Sequence, residues 1–172
     1  MHAPGKTLLM VEDGPDERML FDRAVQRTAV SFSVHFAADG QEAIDYLRGD
    51  GGYADRHRFP LPDLLMLDLH MPRLSGFDVL AWIRKQPEMH ELPVIMYSAS
   101  SHPVDVSRAY RLSANSYLVK PTTVADLTTT VRMIESYWMN LNLSPRTGPT
   151  GWSSGATASP AMHGDAHAGD GI

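Results

Sequence analysis

The sequence contains no cysteine among its 172 residues. Disulfide frameworks, thiolate zinc sites and cysteine nucleophiles are therefore excluded, and the chain is compatible with a reducing compartment. No apolar run approaches the roughly 20 residues that a bilayer crossing needs, and the polar N-terminus lacks the pattern of a signal peptide. We therefore expect a cytoplasmic protein with no membrane partner.

Positive charge is also scarce. Fifteen Lys and Arg residues are outnumbered by 20 Asp and Glu residues, which gives a formal net charge of -5. Because no long basic run is present either, we expect no nucleic-acid partner. The hydrophobic content of 43% is sufficient to fill a single core.

Five short apolar runs alternate with segments of helical periodicity. The runs lie at residues 7–11, 32–36, 64–67, 94–97 and 117–119. Each run and the segment after it have the length of one strand–helix unit, which predicts a parallel sheet covered by helices on both faces. Right-handed crossovers restrict this arrangement to a doubly wound α/β sheet. The second run alternates apolar and polar residues, as a strand at the edge of the sheet does.

The composition changes near Ser144. From there to Ile172 the chain consists mostly of Gly, Pro, Ala, Ser, Thr and His. Such a segment buries too little apolar surface to offset its ordering entropy. We therefore predict a folded domain over residues 1–143 and a flexible tail over residues 144–172.

Polar residues follow four of the predicted strands: Glu12 and Asp13, then Asp68, Ser98 and Lys120. Since the carboxyl ends of parallel strands meet at one edge of a sheet, we expect these side chains to converge. Three carboxylates repel one another, and oxygen ligands without His or Cys favour a hard cation, Mg²⁺ rather than Ca²⁺ in so small a site. A lysine and a hydroxyl facing such a metal suit a phosphoryl group.

These segments resemble the receiver domain of two-component response regulators. The resemblance covers about residues 6–141 and is carried by Val-Glu-Asp-Gly-Pro at 11–15, Leu-Asp-Leu-His-Met-Pro at 67–72, Gly76, Ser98-Ala, and Tyr-Leu-Val-Lys-Pro at 117–121. It implies a flavodoxin-like (βα)5 fold with strand order 2-1-3-4-5. The long loop at 49–62 and the final helix with Tyr137-Trp138 look like the single-domain regulators paired with bacterial and cyanobacterial phytochromes.

The resemblance implies the chemistry of Asp68. This residue would be the phosphoacceptor that attacks the phosphohistidine of a sensor histidine kinase. The narrower resemblance implies that this kinase is a bacteriophytochrome. Asp13, Asp68 and the backbone carbonyl of His70 would ligate Mg²⁺, and Glu12 would hold the ion directly or through water. The His70 side chain occupies a position that affects how fast the phosphate is lost.

The remaining motif residues would transmit the signal. Lys120 would pair with one phosphoryl oxygen and Ser98 with another, while Tyr117 would change rotamer and repack the surface of the fourth helix, fifth strand and fifth helix. The peptide bond before Pro121 would be cis. Tyr137 and Trp138 are candidates for a homodimer face on that surface, although the stripe containing Trp138 also fits a simple core role.

The function expected from this pattern is a phosphorylation switch that signals by protein contact and is not a turnover enzyme. An Mg²⁺-dependent phosphatase of the haloacid dehalogenase type is the alternative from the enzyme class. That chemistry needs a second acid two residues after the nucleophile, where this chain has His70. A flavodoxin-like flavin or nucleotide binder is a third option, but Glu12 and Asp13 would repel its phosphate.

Overall fold

The computed structural model of the chain describes residues 5–144. Almost all of the predicted tail lies outside the described residues. The strands are β1 (Thr7–Val11), β2 (Ser33–Ala37), β3 (Leu64–Leu67), β4 (Val94–Ser98) and β5 (Ser116–Val119). The helices are α1 (Pro15–Thr28), α2 (Gly40–Arg48), α3 (Gly76–Lys85), α4 (Pro103–Arg111) and α5 (Val124–Met133), the last continued by a π-helical segment over Ile134–Leu141.

All neighbouring strands are parallel, and their order is β2-β1-β3-β4-β5. The predicted fold and strand order are therefore confirmed. β2 lies at one edge and is only partly buried, which explains its alternating sequence. The central strands β1, β3 and β4 are buried along their whole length.

The core consists of two layers, one on each face of the sheet. Successive strand residues point to opposite faces, so Leu9 and Leu65 pack against α2, α3 and α4, while Leu8 and Leu64 pack against α1 and α5. Continuous apolar runs are therefore required in the central strands, since both faces are covered. Among residues 5–144, no helix has the length and apolarity to cross a bilayer.

Local capping fixes where the helices begin. The Asp39 carboxylate accepts hydrogen bonds from the backbone N–H groups of Gln41 and Glu42 at the start of α2. Ser75 and Asp78 form a reciprocal capping box at the start of α3. Both capped ends lie next to the carboxyl edge of the sheet, so the caps anchor the loops that lead into α2 and α3.

The end of the last helix differs from the sequence expectation. The predicted stripe placed Leu127, Val131, Ile134, Trp138 and Leu141 on one buried face. The first three are buried, but Met139 takes the next buried position, Trp138 is half-buried and Leu141 is 72% exposed. The π-helical segment is the reason, because its wider turn moves the inward face from a spacing of four residues to one of five.

The long loop at 49–62 is packed against the domain. It contains a 3₁₀ turn at Gly51–Tyr53, and the rings of Tyr53 and Phe59 form edge-to-face and tilted contacts with Tyr46 of α2. The Arg56 guanidinium donates to the carbonyls of Tyr46 and Leu47 and so satisfies the end of α2.

Candidate functional site

Three carboxylates meet at the carboxyl edge of the sheet. Glu12 and Asp13 follow β1, and Asp68 follows the neighbouring strand β3. One carboxylate oxygen from each lies within 4.8 Å of the others. Glu12 and Asp68 are buried, at 1% and 5% exposure, whereas Asp13 is exposed. The predicted convergence of these acids is therefore present in the structure.

Lys120, at the end of β5, reaches the same cluster. Its Nζ lies 2.5 Å from Glu12 Oε2 and 3.3 Å from Asp68 Oδ1. Between residues 5 and 144 the structure has no cis peptide bond, so the expectation of a cis bond before Pro121 was wrong. The trans isomer is favoured for an X-Pro bond by roughly 0.5–1 kcal/mol, and Lys120 reaches both acids with it.

Burial controls the electrostatics of the cluster. It raises the pKa of the Glu12 carboxyl, and the nearby Asp68 charge raises it further, while Lys120 opposes both effects. Burial likewise raises the pKa of Asp68, against the influence of Lys120 and of the backbone amides of Leu69 and His70. Burial lowers the pKa of Lys120, but its pairing with Glu12 and Asp68 outweighs this and leaves that pKa above its usual value. One ammonium is thus shared by two acids that burial disfavours as anions.

Gly76 explains how the loop after β3 closes over the acid. A Cβ on Gly76 would lie 2.2 Å from the Asp68 carbonyl oxygen, which no side chain permits. The Gly76 N–H also donates to the Leu69 carbonyl at 3.0 Å. A glycine is therefore required for α3 to begin this close to Asp68.

Ser98 and Tyr117 each form a hydrogen bond with Ser100 in the β4–α4 loop beside the cluster. Ser98 is fully buried at the end of β4, and its Oγ accepts from the Ser100 N–H at 3.1 Å. The half-buried Tyr117 of β5 donates its hydroxyl to the Ser100 carbonyl at 2.8 Å. The β4–α4 loop is therefore held by both residues that the sequence pattern assigned to switching.

The other predicted residues lie at the surface or away from the cluster. His70 is exposed, two residues after Asp68. Tyr137 is 53% exposed, and its ring meets that of Trp138 edge-on at 5.1 Å. Trp138 packs partly against the core layer formed with α1 and α5. Of this pair, Tyr137 is therefore the residue available at the surface.

Sequence reasoning missed two residues beside the cluster. Arg18 of α1 donates from Nη1 to the carbonyl oxygens of Glu12 at 2.5 Å and Asp13 at 3.1 Å, so it holds the acidic loop. Tyr97 lies directly before Ser98, buried within β4, and its ring stands 5.9 Å from Lys120 Nζ. Arg18 lies in the first turn of α1, directly after the acidic loop, which was a usable signal. Nothing in the local sequence distinguished Tyr97 from an ordinary strand residue.

The donor set fits a hard divalent cation. All three acidic groups offer carboxylate oxygens, and neither a histidine nor a cysteine belongs to the cluster among residues 5–144. A cation would also relieve the repulsion between the two buried acids that share one lysine. The chemistry of the residues present therefore suits the metal that the sequence pattern implied.

Comparison with known proteins identifies the fold family. The profile described as "Response regulator receiver domain" matches residues 8–132. The chain belongs to this receiver family. This assignment confirms the resemblance inferred from the motifs, and a haloacid dehalogenase phosphatase is not supported.

Relatives of this receiver include two curated proteins. It is 37% identical over 139 residues to a probable methanogenesis regulatory protein, FilR2, of Methanothrix harundinacea, covering 80% of this chain and 86% of that protein. It is 32% identical over 136 residues to the response regulator Rcp1 of Synechocystis, covering 79% and 90% respectively.

Solved structures of similar receivers carry a phosphoryl group or a metal. The phosphorylated cyanobacterial phytochrome response regulator RcpA is 33% identical, with a TM-score of 0.75 and coverage of 83% of this chain and 99% of that one. The Mn²⁺-bound form of Rcp1 is 31% identical, with a TM-score of 0.71 and coverage of 81% and 99%. The protein is therefore a response regulator homologous to phytochrome-associated regulators.

Proposed function

We propose that this receiver accepts a phosphoryl group on the Asp68 carboxylate and signals by changing a protein-binding surface. The observation that carries the proposal is the position of Lys120 Nζ, 2.5 Å from Glu12 and 3.3 Å from Asp68, beside the exposed Asp13. Lys120 contacts both buried acids, and its ammonium can donate to a phosphoryl oxygen bound at Asp68.

The proposed reaction is phosphoryl transfer from a phosphohistidine. An Asp68 oxygen attacks the phosphorus, the P–O bond of an acyl phosphate forms, and the P–N bond breaks to release the imidazole. Lys120 is then free to move from Asp68 to a phosphoryl oxygen, because it already contacts Glu12 as its second partner. The product replaces the single negative charge of the carboxylate with the charge of the phosphoryl oxygens, so the site needs more positive charge after transfer than before it.

We assign Mg²⁺ as the metal of this site. Asp13, Asp68 and the backbone carbonyl of His70 would hold it, with Glu12 as a direct or water-mediated partner. When bound, Mg²⁺ neutralises negative charge on the phosphoryl oxygens. The Mn²⁺ in Rcp1 supports a divalent ion of this class. Arg18 contributes by holding the carbonyls of Glu12 and Asp13 in place.

The signal would spread through the β4–α4 loop. Ser98 Oγ accepts from the Ser100 N–H, and the Ser98 O–H would donate to a phosphoryl oxygen on Asp68 and so draw the loop towards the site. Movement of this loop would alter the Tyr117 hydrogen bond to the Ser100 carbonyl and so repack the surface of α4, β5 and α5. The His70 side chain, exposed beside the acid, would affect how long the phosphorylated state lasts.

The proposed upstream partner is a sensor histidine kinase, with a bacteriophytochrome as the narrower candidate. The likeness to RcpA supports the narrower choice, whereas the likeness to FilR2 is to a regulator that is not named for a phytochrome.

A receiver of this kind releases its own phosphate to water and does not turn over a substrate. A cytoplasmic location remains a prediction, tested by cell fractionation.

The proposed output surface includes a homodimer face on α4, β5 and α5. Apolar side chains are exposed on each element, including Val104, Val119 and Tyr137 at 61%, 50% and 53%. We expect Tyr137→Ser to weaken a dimer while the exposed Met19→Ser on α1 does not, as measured by light scattering with and without phosphorylation. Trp138→Ala is a less direct test because Trp138 also packs on the core. A Tyr137→Ser variant that stays as dimeric as the parent would remove the interface from the proposal.

Intact-mass spectrometry tests the central proposal. After incubation with acetyl phosphate and Mg²⁺, we expect one base-labile phosphoryl adduct on the parent, none without Mg²⁺ and none on Asp68→Asn. The matched control is Asp63→Asn, an acid at the other end of β3 that contacts Thr7 and should leave labelling unchanged. Labelling that persists in Asp68→Asn would reject Asp68 as the acceptor.

A further inference from the structure

A cavity lies next to the phosphoacceptor site on the side of α1 and α5. Its volume is about 240 Å³, and its walls are largely apolar, formed by Met10, Phe21 and Leu127. Leu20 and Lys120 also line it, whereas Asp68 does not. The cavity therefore adjoins the acidic site through Lys120 without being part of it.

Tyr97 gives this cavity a specific polar group. The side chain lines the cavity and is only 5% exposed, and its ring is held edge-on to Phe21 at 6.4 Å and 72°. Its hydroxyl makes no hydrogen bond to any residue in the described range 5–144. Buried hydroxyls are normally paired, so the Tyr97 hydroxyl has the capacity to donate a hydrogen bond to a molecule that enters the cavity.

The charges around the cavity exclude an anionic partner. Glu17 lines the cavity, and burial together with the charge of Glu12 raises the pKa of the Tyr97 hydroxyl. Lys120, the cation nearest the cavity, is already engaged by Glu12 and Asp68. An anion would therefore meet net negative charge, whereas a neutral hydrogen-bond acceptor would meet the free Tyr97 O–H.

We propose that this cavity binds a small neutral organic molecule with one apolar ring and one hydrogen-bond acceptor, which the Tyr97 hydroxyl recognises. The size fits a single substituted ring, since an apolar cavity of roughly 150 Å³ in another protein is sufficient for benzene. The bound molecule would sit beside Lys120 and so beside the phosphoryl site. The binding itself does not depend on phosphorylation of Asp68.

The test is an NMR titration of the full chain with acetophenone as the neutral probe, toluene as the probe without an acceptor, and benzoate as the anionic probe. We expect acetophenone to shift the amide signals of cavity residues and to bind more tightly than the other two. Tyr97→Phe should weaken acetophenone binding about tenfold, the value of one neutral hydrogen bond, and leave toluene binding unchanged. Tyr110→Phe, at an exposed tyrosine of α4, is the matched control.

A second variant guards against an effect of Tyr97→Phe on folding. Leu20→Trp fills the cavity from its partly exposed rim and should abolish acetophenone binding while leaving the spectrum of the core intact. Equal affinity of the parent and Tyr97→Phe, tighter binding of benzoate, or no binding at millimolar acetophenone would each overturn the proposal. One further result would overturn it. If no probe binds, and Tyr97→Phe slows phosphoryl transfer from a kinase but not from acetyl phosphate, the cavity receives a kinase side chain instead. Failure of Asp68 to be phosphorylated would leave the binding result unaffected.

Discussion

The two ends of the sheet use the same kinds of residue in opposite ways. At the carboxyl edge, Glu12 and Asp68 are buried and share the single ammonium of Lys120. At the amino edge, Asp63 accepts a hydrogen bond from the Thr7 N–H at 2.8 Å, and its own N–H donates to the Thr7 carbonyl at 2.8 Å. The acid at the amino edge is matched to its partner, whereas the acids at the carboxyl edge are not.

The amino edge repeats this pairing between β4 and β5. Asn115 accepts from the Val94 N–H at 2.8 Å and donates its own N–H to the Val94 carbonyl at 2.9 Å. Arg84 of α3 then joins three segments through five hydrogen bonds, to the carbonyls of Ser113, His90 and Leu92 and to Asn115 Oδ1. Every N–H of this guanidinium is used, so the amino edge is rigid and satisfied.

The two edges of the sheet therefore have different roles: the residues of the amino edge stabilise the fold, and those of the carboxyl edge bind ligands. A buried acid that is short of cations destabilises the free protein and binds a cation or phosphoryl group in compensation. An acid or guanidinium with a full set of partners stabilises the fold and has no capacity left for a ligand. Substitutions of the same chemical kind at the two ends should therefore have opposite effects on stability.

Arg84→Met should give the largest effect. It removes all five hydrogen bonds and leaves the carbonyls of Ser113 and Leu92 without their donor, so we expect the free energy of unfolding to fall by about 3 kcal/mol. Chemical denaturation measures this change. Arg48→Met is the matched control, because the half-exposed Arg48 guanidinium contacts Asp50 at 3.9 Å and the Trp82 ring at 5.2 Å but makes no hydrogen bond within residues 5–144. Equal losses for the two variants would show that the amino edge has no special role.

Asp68→Asn should raise stability in metal-free buffer by about 1–2 kcal/mol, because the buried anion is removed and the shape is kept. The pKa of Asp68 is raised in the folded state, so the gain in stability should be full above that pKa and disappear as the pH falls towards the pKa of the unfolded chain.

Asp63→Asn should instead lower stability by about 1 kcal/mol, since a charge-assisted hydrogen bond becomes a neutral one. Chemical denaturation with and without Mg²⁺ measures whether stability rises in Asp68→Asn and falls in Asp63→Asn. A loss of stability in Asp68→Asn would contradict the comparison.

Arg18→Met should have the smallest effect, on metal binding and not on folding. The variant keeps the apolar stem but loses the contacts with the carbonyls of Glu12 and Asp13, so we expect Mg²⁺ affinity to fall about tenfold. Calorimetric titration measures it, with the exposed Arg23→Met on the same helix as the control. Unchanged affinity would show that the acidic loop holds its shape without Arg18.

Much of the fold followed from local pattern. The apolar runs at residues 7–11 and 64–67 predicted the central strands with the bounds of β1 and β3, because a strand covered on both faces must be apolar throughout. The site followed as well, since a parallel sheet brings residues after its strands to one edge whatever their separation in sequence. The distance of 108 positions between Glu12 and Lys120 was therefore no obstacle.

Other features depended on contacts that no local pattern encodes. The π-helical segment moved Met139 into the core in place of Trp138, because packing against α1 and the sheet decided the final turn of the helix. The peptide bond before Pro121 is trans. Two further features depend on how distant segments pack: the hydrogen bonds of Arg84 to two loops, and the lack of a hydrogen bond to the Tyr97 hydroxyl within residues 5–144.

The pattern of the sequence by itself determined the strands, the helices, their parallel doubly wound arrangement and the acids and lysine at the carboxyl edge, while the strand order came from the family resemblance. Its information was sufficient there because periodicity and strand ends are local and the topology of a parallel sheet is restricted. Only the tertiary structure decided how each charge is partnered: Asp63 is half-buried and accepts from the Thr7 N–H, whereas Asp68 is buried and shares Lys120 with Glu12. Burial and partner geometry set the energy of a charge, and both arise only when the whole chain is packed.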